Sequence, residues 1–417
     1  MIKNSDRRNI LLIHQHFCPP GGFGNNRSFE IAKSLTEAGH RVTILTGSGN
    51  FNIQPDTLFS TQSTNGIQID CIRIKYDHHM SYVRRMYAFA SFFILSCLRV
   101  FRYKKSTDVI YAVSTPLSIG VIGLWYQCIL RKPMFFEIGD LWPDVPVQMG
   151  IVKNTLLIRF LYWMEQKIYA GSRHIILLSE GMRAYMLKKG IPAEKFSVLY
   201  NGTNIHQFSP VAGKEALRKQ YNIPIEQFIV LYAGTMGVAN RLEFFVDAAA
   251  HIEALGNTSI CFYFIGGGNR LDAMKKYAAQ KNLSSVLFLD SMSKDLVSDY
   301  FRLADIGIVS FAPFDILETN SANKYYDYLA SGLPVLINYE GWQKIAIEDA
   351  HCGYSVTDVE TAGAKIIQLS QQPEEYSTMS ANARVLAEDQ YDRNIIAMQL
   401  SLLISQQSSS EAYNRIV

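Results

Sequence analysis

The side chains with the clearest chemical promise lie within residues 316–337, ILETNSANKYYDYLASGLPVLI. The stretch reads as loop, helix, turn and apolar strand. Asn320 and Ser321 are residue types that cap a helix start, and Ser331-Gly332-Leu333-Pro334 is a stop. Asn323 and Asp327, four apart, share one face of that helix near its N-terminal end. That end presents free N–H groups and partial positive charge, which suit an anion. Lys324 adds a full charge for a phosphate, and Asp327 can accept hydrogen bonds from a diol such as a ribose. An ordinary capped crossover helix of an α/β domain explains the same residues, so their neighbours must decide.

Two further stretches point the same way. Ala233-Gly234-Thr235-Met236-Gly237-Val238-Ala239-Asn240-Arg241 follows a strand-like run, and so does Gly266-Gly267-Gly268-Asn269-Arg270. Each reads as a strand-to-helix loop whose backbone can approach a ligand. With the 323–327 helix they predict a nucleotide-sized site, built largely of backbone, at one sheet edge. Near the N-terminus a buried strand over 9–13 runs into HQHFCPPGGFGNNR and then a helix over 28–39. The spacing is not G-x-G-x-x-G, so no dinucleotide fingerprint is supported. The loop is either plain punctuation or a second phosphate contact with Arg27 at its end. Asp140, just past a strand over 133–138, stands where a general base or acceptor-binding carboxylate would be. A loop aspartate capping the next segment is the alternative.

The elements that must position these residues follow from length and pattern. A chain of 417 residues, 48% hydrophobic and 18% charged, is long enough for two domains of about 200 residues. A net charge of +3 gives no reason to expect nucleic acid. Six scattered cysteines without a C-x-x-C pair read as reduced thiols, neither a disulfide framework nor a zinc site. Adjacent His78 and His79 point apart on most backbones and make a poor metal pair. The chain has no Asp-x-Asp, the pattern that holds a divalent ion on a diphosphate. The apolar run at 10–13 is too short for a signal peptide. Arg84-Arg85, an uncharged run over 86–98, and Arg99, Arg102, Lys104 and Lys105 suit a helix lying in an anionic membrane interface. Thirteen helical residues span about 20 Å, short of a bilayer core. Trp125 and Arg131-Lys132 extend that face, and a core helix with solvated ends is the other reading. Residues 206–212 form a candidate hinge, and 394–404 an amphipathic helix before a loose polar tail.

Seven segments in this order, PPGGFGNNR, EIGDLWPD, LLSEGM, LYNGTN, LYAGTMG, FIGGGNR and ANKYYDYLASGLPVL, resemble the retaining GT-B glycosyltransferases of family 4. The nearest-looking branch assembles bacterial surface polysaccharides such as O-antigen and capsule, with members similar to N-acetyl-L-fucosamine transferases. The resemblance spans nearly the whole chain. It implies an α/β GT-B fold: two Rossmann-like domains with parallel sheets facing a central cleft, and a C-terminal helix crossing back to the first domain. Residues 1–204 would bind the acceptor, 205–385 the nucleotide-sugar, and 386–417 would form the returning helix and tail.

The implied donor is a UDP-sugar, the implied acceptor a polyprenyl-diphosphate-linked saccharide. The implied location is the cytoplasmic inner face of an anionic membrane, through residues 84–105, with no cofactor or metal. Asp327 takes the second acidic position of the family's E-x7-E motif, for the ribose. Thr319 takes the first, where glutamate is usual, and Glu318 is one residue off. The arginine and lysine usual after the first C-terminal strand match Thr235 and Asn240, both uncharged, so Arg241 and Lys324 are expected to supply the charge. The donor set on this reading is Gly22, Phe23, Gly24, Arg27, Gly234, Thr235, Met236, Gly237, Gly266, Gly267, Met292, Glu318, Asn323, Lys324 and Asp327. Asp140, Lys324 and Arg241 would be catalytic, Asp140 falling where the family places an acceptor-side histidine or aspartate. Two readings compete. A UDP-sugar 2-epimerase shares the architecture, but its acid/base residues are not recognisable here. A non-catalytic nucleotide-sugar-binding scaffold is kept open by Thr319.

Overall fold

A computed structural model describes residues 7–18, 27–51, 55–76, 80, 82–210 and 214–407. The expectations placed on Gly22, Phe23, Gly24, His78, His79 and the polar tail beyond 407 lie outside these residues. The chain divides into unit 1, Met1–Tyr200 with Asn394–Val417, and unit 2, Asn201–Arg393.

Unit 1 is built on β1 (Asn9–Ile13), β2 (Arg41–Gly47), β3 (Phe59–Thr64), β4 (Ile67–Ile72), β5 (Val109–Val113), β6 (Met134–Ile138), β7 (His174–Leu177) and β8 (Phe196–Val198). Their order is β3-β4-β2-β1-β5-β6-β7-β8, parallel except at β3–β4. β5 and β6 are buried at every residue, as strands covered on both faces must be. The β3–β4 hairpin was not anticipated, because FSTQST carries too little apolar signal. Its turn, Asn65-Gly66, with both residues at positive φ, is the pattern that marks such hairpins. The order reverses between β1 and β5, which opens a crevice at the carboxyl ends of those strands. From the terminal helix (Arg393–Gln407), Ile396, Leu400 and Ile404 pack into this unit's core beside Ile10, Leu12 and Phe29.

Arg27 is not available to a phosphate. It opens the first helix, Arg27–Glu37, and is buried. Its Nε and Nη2 donate to the two carboxylate oxygens of Glu137 at 3.0 Å each, and Nη1 donates to the Tyr200 carbonyl at 2.7 Å. The Tyr111 hydroxyl donates to the same carboxylate at 2.5 Å. Arg27 therefore fixes the start of its helix against β5 and β6.

Unit 2 holds β9 (Phe228–Ala233), β10 (Ile260–Ile265), β11 (Val286–Leu289), β12 (Ile306–Val309), β13 (Val335–Ile337) and β14 (Gly353–Ser355). All pair in parallel, in the order β11-β10-β9-β12-β13-β14. This is the doubly wound order, with its reversal between β9 and β12. β14, three residues long, is too short for periodicity to reveal.

Replacing Arg27 by methionine would strand the Glu137 carboxylate in the core. The expected cost is roughly 3–5 kcal/mol, read as a lowered urea midpoint for unit 1; an unchanged midpoint would show that the pair carries no structural weight.

Candidate active site

The switch point of unit 2 is where the chemistry concentrates. Helix Asn323–Ala330 lies between β12 and β13, so it starts at the carboxyl edge of the sheet. Lys324, in its first turn, reaches the loop after β9. Its ammonium lies 3.7 Å from the centre of the Tyr232 ring, and a Cβ at Gly234 would meet Nζ at 2.8 Å. The Tyr232 hydroxyl is tied to the Thr235 carbonyl at 2.6 Å. No carboxylate among the described residues pairs with Lys324. Burial lowers the Lys324 amine to about 7. Its charge also sits at the positive end of a helix, the wrong end for a cation. The ring face stabilises it in part, yet a half-buried charge with no counter-ion among the described residues is a costly arrangement. An arriving anion would remove that cost.

The glycine loops have a different role from the one the sequence suggested. Gly266, at φ +137°, comes so close that a Cβ there would lie 2.1 Å from the Gly234 carbonyl. Gly268 approaches the Met236 carbonyl in the same way, and Met236 N–H donates to the Gly267 carbonyl at 2.8 Å. These glycines let two loops pack backbone to backbone. Met236 is buried in that contact, and Asn240 Oδ1 accepts from Gly237 N–H at 3.2 Å. What stays open to a ligand is smaller: the N–H groups of Thr235 and Gly267 have no acceptor among the described residues. Arg241 follows in left-handed backbone, φ +38°, its guanidinium exposed and without a partner among the described residues. Met292 is half-buried just after β11, next to Ser291, whose hydroxyl faces Gly267.

The helix start differs from expectation. The residue before it is Ala322, with no side-chain cap. Asn320 Oδ1 instead accepts from Ser321 N–H, and the Ser321 hydroxyl bonds to the Tyr326 hydroxyl at 2.6 Å. Asn323 Oδ1 is buried with no hydrogen-bond partner among the described residues. Asp327 is buried, and one oxygen accepts from the Thr203 hydroxyl at 2.5 Å. Burial raises its carboxyl, against the pull of Lys294, Thr203 and Arg393. Its second oxygen bonds to nothing among the described residues. The Thr319 hydroxyl turns back to the Ile316 carbonyl at 2.7 Å. Glu318 is half-buried against Gly341, and burial together with the charges of Asp315 and Glu340 raises its carboxyl.

In unit 1, Asp140 lies just past β6. It is half-buried, burial raises its carboxyl, and the side chain has no hydrogen-bond partner among the described residues. Four residues on, Asp144 anchors the segment. It accepts from the Tyr162 and Tyr185 hydroxyls at 2.9 and 2.8 Å and pairs with Lys189 at 2.6 Å. Lys189 also holds Glu165 at 2.7 Å. Sequence reading missed this network, because its members lie far apart in the chain.

The surface around residues 82–103 is larger than the sequence suggested. The stretch Val83–Tyr103 is long and apolar enough, by length and composition, to cross a membrane. One face is nevertheless core: Ala88, Phe92, Ser96, Val100 and Tyr103 are buried, and the Tyr126 hydroxyl donates to the Ser96 carbonyl at 2.8 Å. The other face exposes Val83, Tyr87, Ile94 and Leu98. Trp125, on helix Ser118–Leu130, and Leu156, Phe160 and Trp163, on helix Thr155–Gly171, are exposed too. Gly120 packs against Ile168, so these two helices are neighbours. Arg99 and Arg102 are engaged by Asp70, at 3.8 and 3.0 Å. A pronounced cavity of about 540 Å³ lies elsewhere, against β14, lined by Glu348, Glu374, Glu375 and His351 among others. Its carboxylates repel phosphate, so it is no candidate for the anion site. Among the described residues no three His, Cys, Asp or Glu side chains gather as a metal-ligand set.

Residues 24–202 match a glycosyl transferase 4-like domain, and residues 213–386 match glycosyl transferases group 1. No curated protein matches the chain. Solved structures similar to it include a sucrose-phosphate synthase from Thermosynechococcus elongatus, 20% identical with a TM-score of 0.76, covering 96% of this chain and 99% of that one. Anabaena HepE in complex with UDP is 18% identical with a TM-score of 0.71, over 95% and 100% of the two chains. WaaG, a glycosyltransferase involved in lipopolysaccharide biosynthesis, is 16% identical with a TM-score of 0.66, over 95% and 99%. At these identities the structural likeness establishes the fold.

The depressed Lys324 amine has a stability consequence. An unfolded lysine holds its proton to about pH 10.4, while the folded one releases it near 7. Between those values the unfolded chain binds the extra proton, so the cost to folding is full below pH 7 and fades towards pH 10. Lys324→Met should therefore melt above the parent at pH 6, with the gap closing by pH 10. A parent more stable than the variant at pH 6 would contradict the assignment.

Proposed function

The chain belongs to the two-domain GT-B glycosyltransferases, with a 4-like domain followed by a group 1 domain, and from that premise we propose the reaction it runs. It moves a sugar, an N-acetylated hexosamine, from a UDP-sugar to a polyprenyl-diphosphate-linked saccharide, with retention and without a metal, in surface-polysaccharide assembly. The observation that carries this reading is Lys324, an ammonium half-buried at the switch point of unit 2 with no carboxylate beside it among the described residues. Solved complexes of HepE with UDP and with UDP-glucose favour uridine as the nucleoside.

The chemistry follows from the charge that develops. As the anomeric C–O bond breaks, negative charge accumulates on the departing diphosphate. Lys324, the Thr235 and Gly267 N–H groups and Arg241 are the fixed donors that meet it. They supply the positive charge that a D-x-D site takes from a divalent ion. Asp327 offers its free oxygen to the ribose, and Glu318 stands in for the glutamate missing at Thr319. The acceptor oxygen attacks from the face the diphosphate leaves, and its proton passes to a leaving phosphate oxygen. No strong base is then needed, which suits Asp140 as an orienter of the acceptor hydroxyl.

A lipid-linked acceptor also gives the exposed apolar face a purpose. Val83, Tyr87, Ile94 and Leu98, with Trp125, Phe160 and Trp163, form an aromatic and aliphatic surface edged by Arg84, Lys104, Lys105 and Arg159. Such a surface suits the interface of an anionic membrane, and it supports the reading that the protein works at the inner face of the cytoplasmic membrane.

Three measurements test the reading. Because an anion selects the charged form of Lys324, UDP affinity should fall as pH rises above about 7, by up to tenfold per unit. Lys324→Met should bind UDP weakly with no such slope. A thermal-shift response to GDP or TDP alone, with none to UDP, would overturn the donor. For the membrane, the Tyr87→Asp, Trp163→Asp double variant should lose co-flotation with phosphatidylglycerol vesicles while keeping the parent's UDP affinity. Equal flotation of parent and variant would remove the membrane from the account.

A further inference from the structure

The carboxyl edge of unit 1 carries a histidine that neither the proposed donor site nor the Asp140 assignment uses. His14 directly follows β1, and its N–H still pairs with the Leu45 carbonyl of β2 at 3.1 Å. It continues the alternation of Ile10 and Leu12 and so projects to the face covered by helix Arg27–Glu37. There its Nδ1 meets the Ser28 hydroxyl at 2.9 Å. Nε2 has no partner among the described residues and is not among the sealed polar atoms.

The support behind this pair is rigid. Ser28 follows Arg27, which is locked by the buried Glu137 carboxylate and the Tyr200 carbonyl. That chain of contacts leaves Ser28, and through it the imidazole plane, little freedom. Across the crevice, just past the end of β5, Thr115 holds φ +101°. This is strained backbone for a β-branched residue, and such strain gathers where a site needs it. Its hydroxyl lies where a Cβ on Gly139 would meet it at 3.3 Å, and the Ser114 hydroxyl accepts from Gly139 N–H at 3.0 Å. Gly139 precedes Asp140. β1, β5 and β6 are consecutive in the sheet, so at about 4.8 Å per strand the ends bearing His14 and Asp140 are about 10 Å apart. That width admits one sugar ring edge-on.

We propose that His14, oriented by Ser28, and Asp140, with Thr115 between them, form a subsite for the acceptor saccharide, in which Nε2 of His14 holds a sugar hydroxyl. The inference rests on the transferase reading above and adds to it the residues that select the acceptor. His14 acts as a neutral hydrogen-bonding group. Burial lowers its imidazole to about 4, so it does not carry away the acceptor proton, which travels to the leaving phosphate. Ser28 is a positioning residue that acts through His14.

The test measures transfer of radiolabelled sugar from a UDP-sugar into a lipid extract of the source organism's membranes, with UDP affinity measured on the same proteins by calorimetry. His14→Ala should lower transfer per unit of acceptor by about 100-fold, with UDP affinity unchanged within about twofold. His14→Gln, whose amide reaches the Nε2 position, should recover about tenfold of that, and Ser28→Ala should lose about tenfold. Parent-like transfer by His14→Ala overturns the subsite. So does a loss of UDP affinity that parallels the loss of transfer, or failure of His14→Gln to recover any activity while its melting temperature matches the parent's. A parent that binds UDP but labels no lipid refutes the proposed acceptor class itself, a different failure from that of His14.

Discussion

Unit 2 is organised around one half-buried positive charge that no carboxylate among the described residues neutralises. Lys324 pays desolvation, sits at the positive end of its own helix and, among the described residues, has a tyrosine face but no counter-ion for company. The rest of the local structure keeps it there. The doubly wound order brings the helix after β12 beside the loop after β9. Gly234 has no side chain to push the ammonium away, and Gly266 lets the neighbouring loop close up behind it. A folded protein tolerates such a charge when a ligand completes it, and the diphosphate of the proposed donor has the charge to do so.

The fully buried charges of unit 1 are treated in the opposite way. Arg27 and Glu137 saturate each other, and Lys189 joins Asp144 and Glu165. Each pair ties together elements that are distant in sequence. The contrast separates two uses of a buried ion. A paired one fixes geometry and is silent towards ligands, while an unpaired one remains available for recognition. Asp140 and Lys324, half-buried and unpaired among the described residues, are proposed to be of the second kind; Arg27, whose basic charge invites the same interpretation, is of the first.

Much of this was legible in the sequence, and the exceptions have physical causes. Parallel strands buried on both faces announced themselves as apolar runs, so both sheets could be anticipated apart from β3 and β14. One is a polar edge strand and the other spans only three residues. Lys324 and Asp140 stood out because their positions relative to strand ends carry meaning. The partner of Arg27 lies 110 residues away, and no local pattern reports such a distance. The glycine loops were recognised, but their first duty is to touch each other, which only three-dimensional proximity reveals. Asn320 and Ser321 have the chemistry of helix caps, yet each is drawn into another bond before it can cap. The apolar surface on helix Thr155–Gly171 was not anticipated. Which of its faces is outside depends on packing against Leu124 and Phe136.

The most direct test of the central claim is the proton taken up when a nucleoside diphosphate binds. If Lys324 is half-neutral near pH 7 and becomes an ammonium against the diphosphate, UDP binding at pH 8 must draw close to one proton per site from the buffer. Calorimetry in two buffers of different ionisation enthalpy reads that number, and Lys324→Met should reduce it to near zero. Tight UDP binding by the parent with no proton uptake at pH 8 would show that the nucleotide does not meet Lys324, and the account of unit 2 would fail.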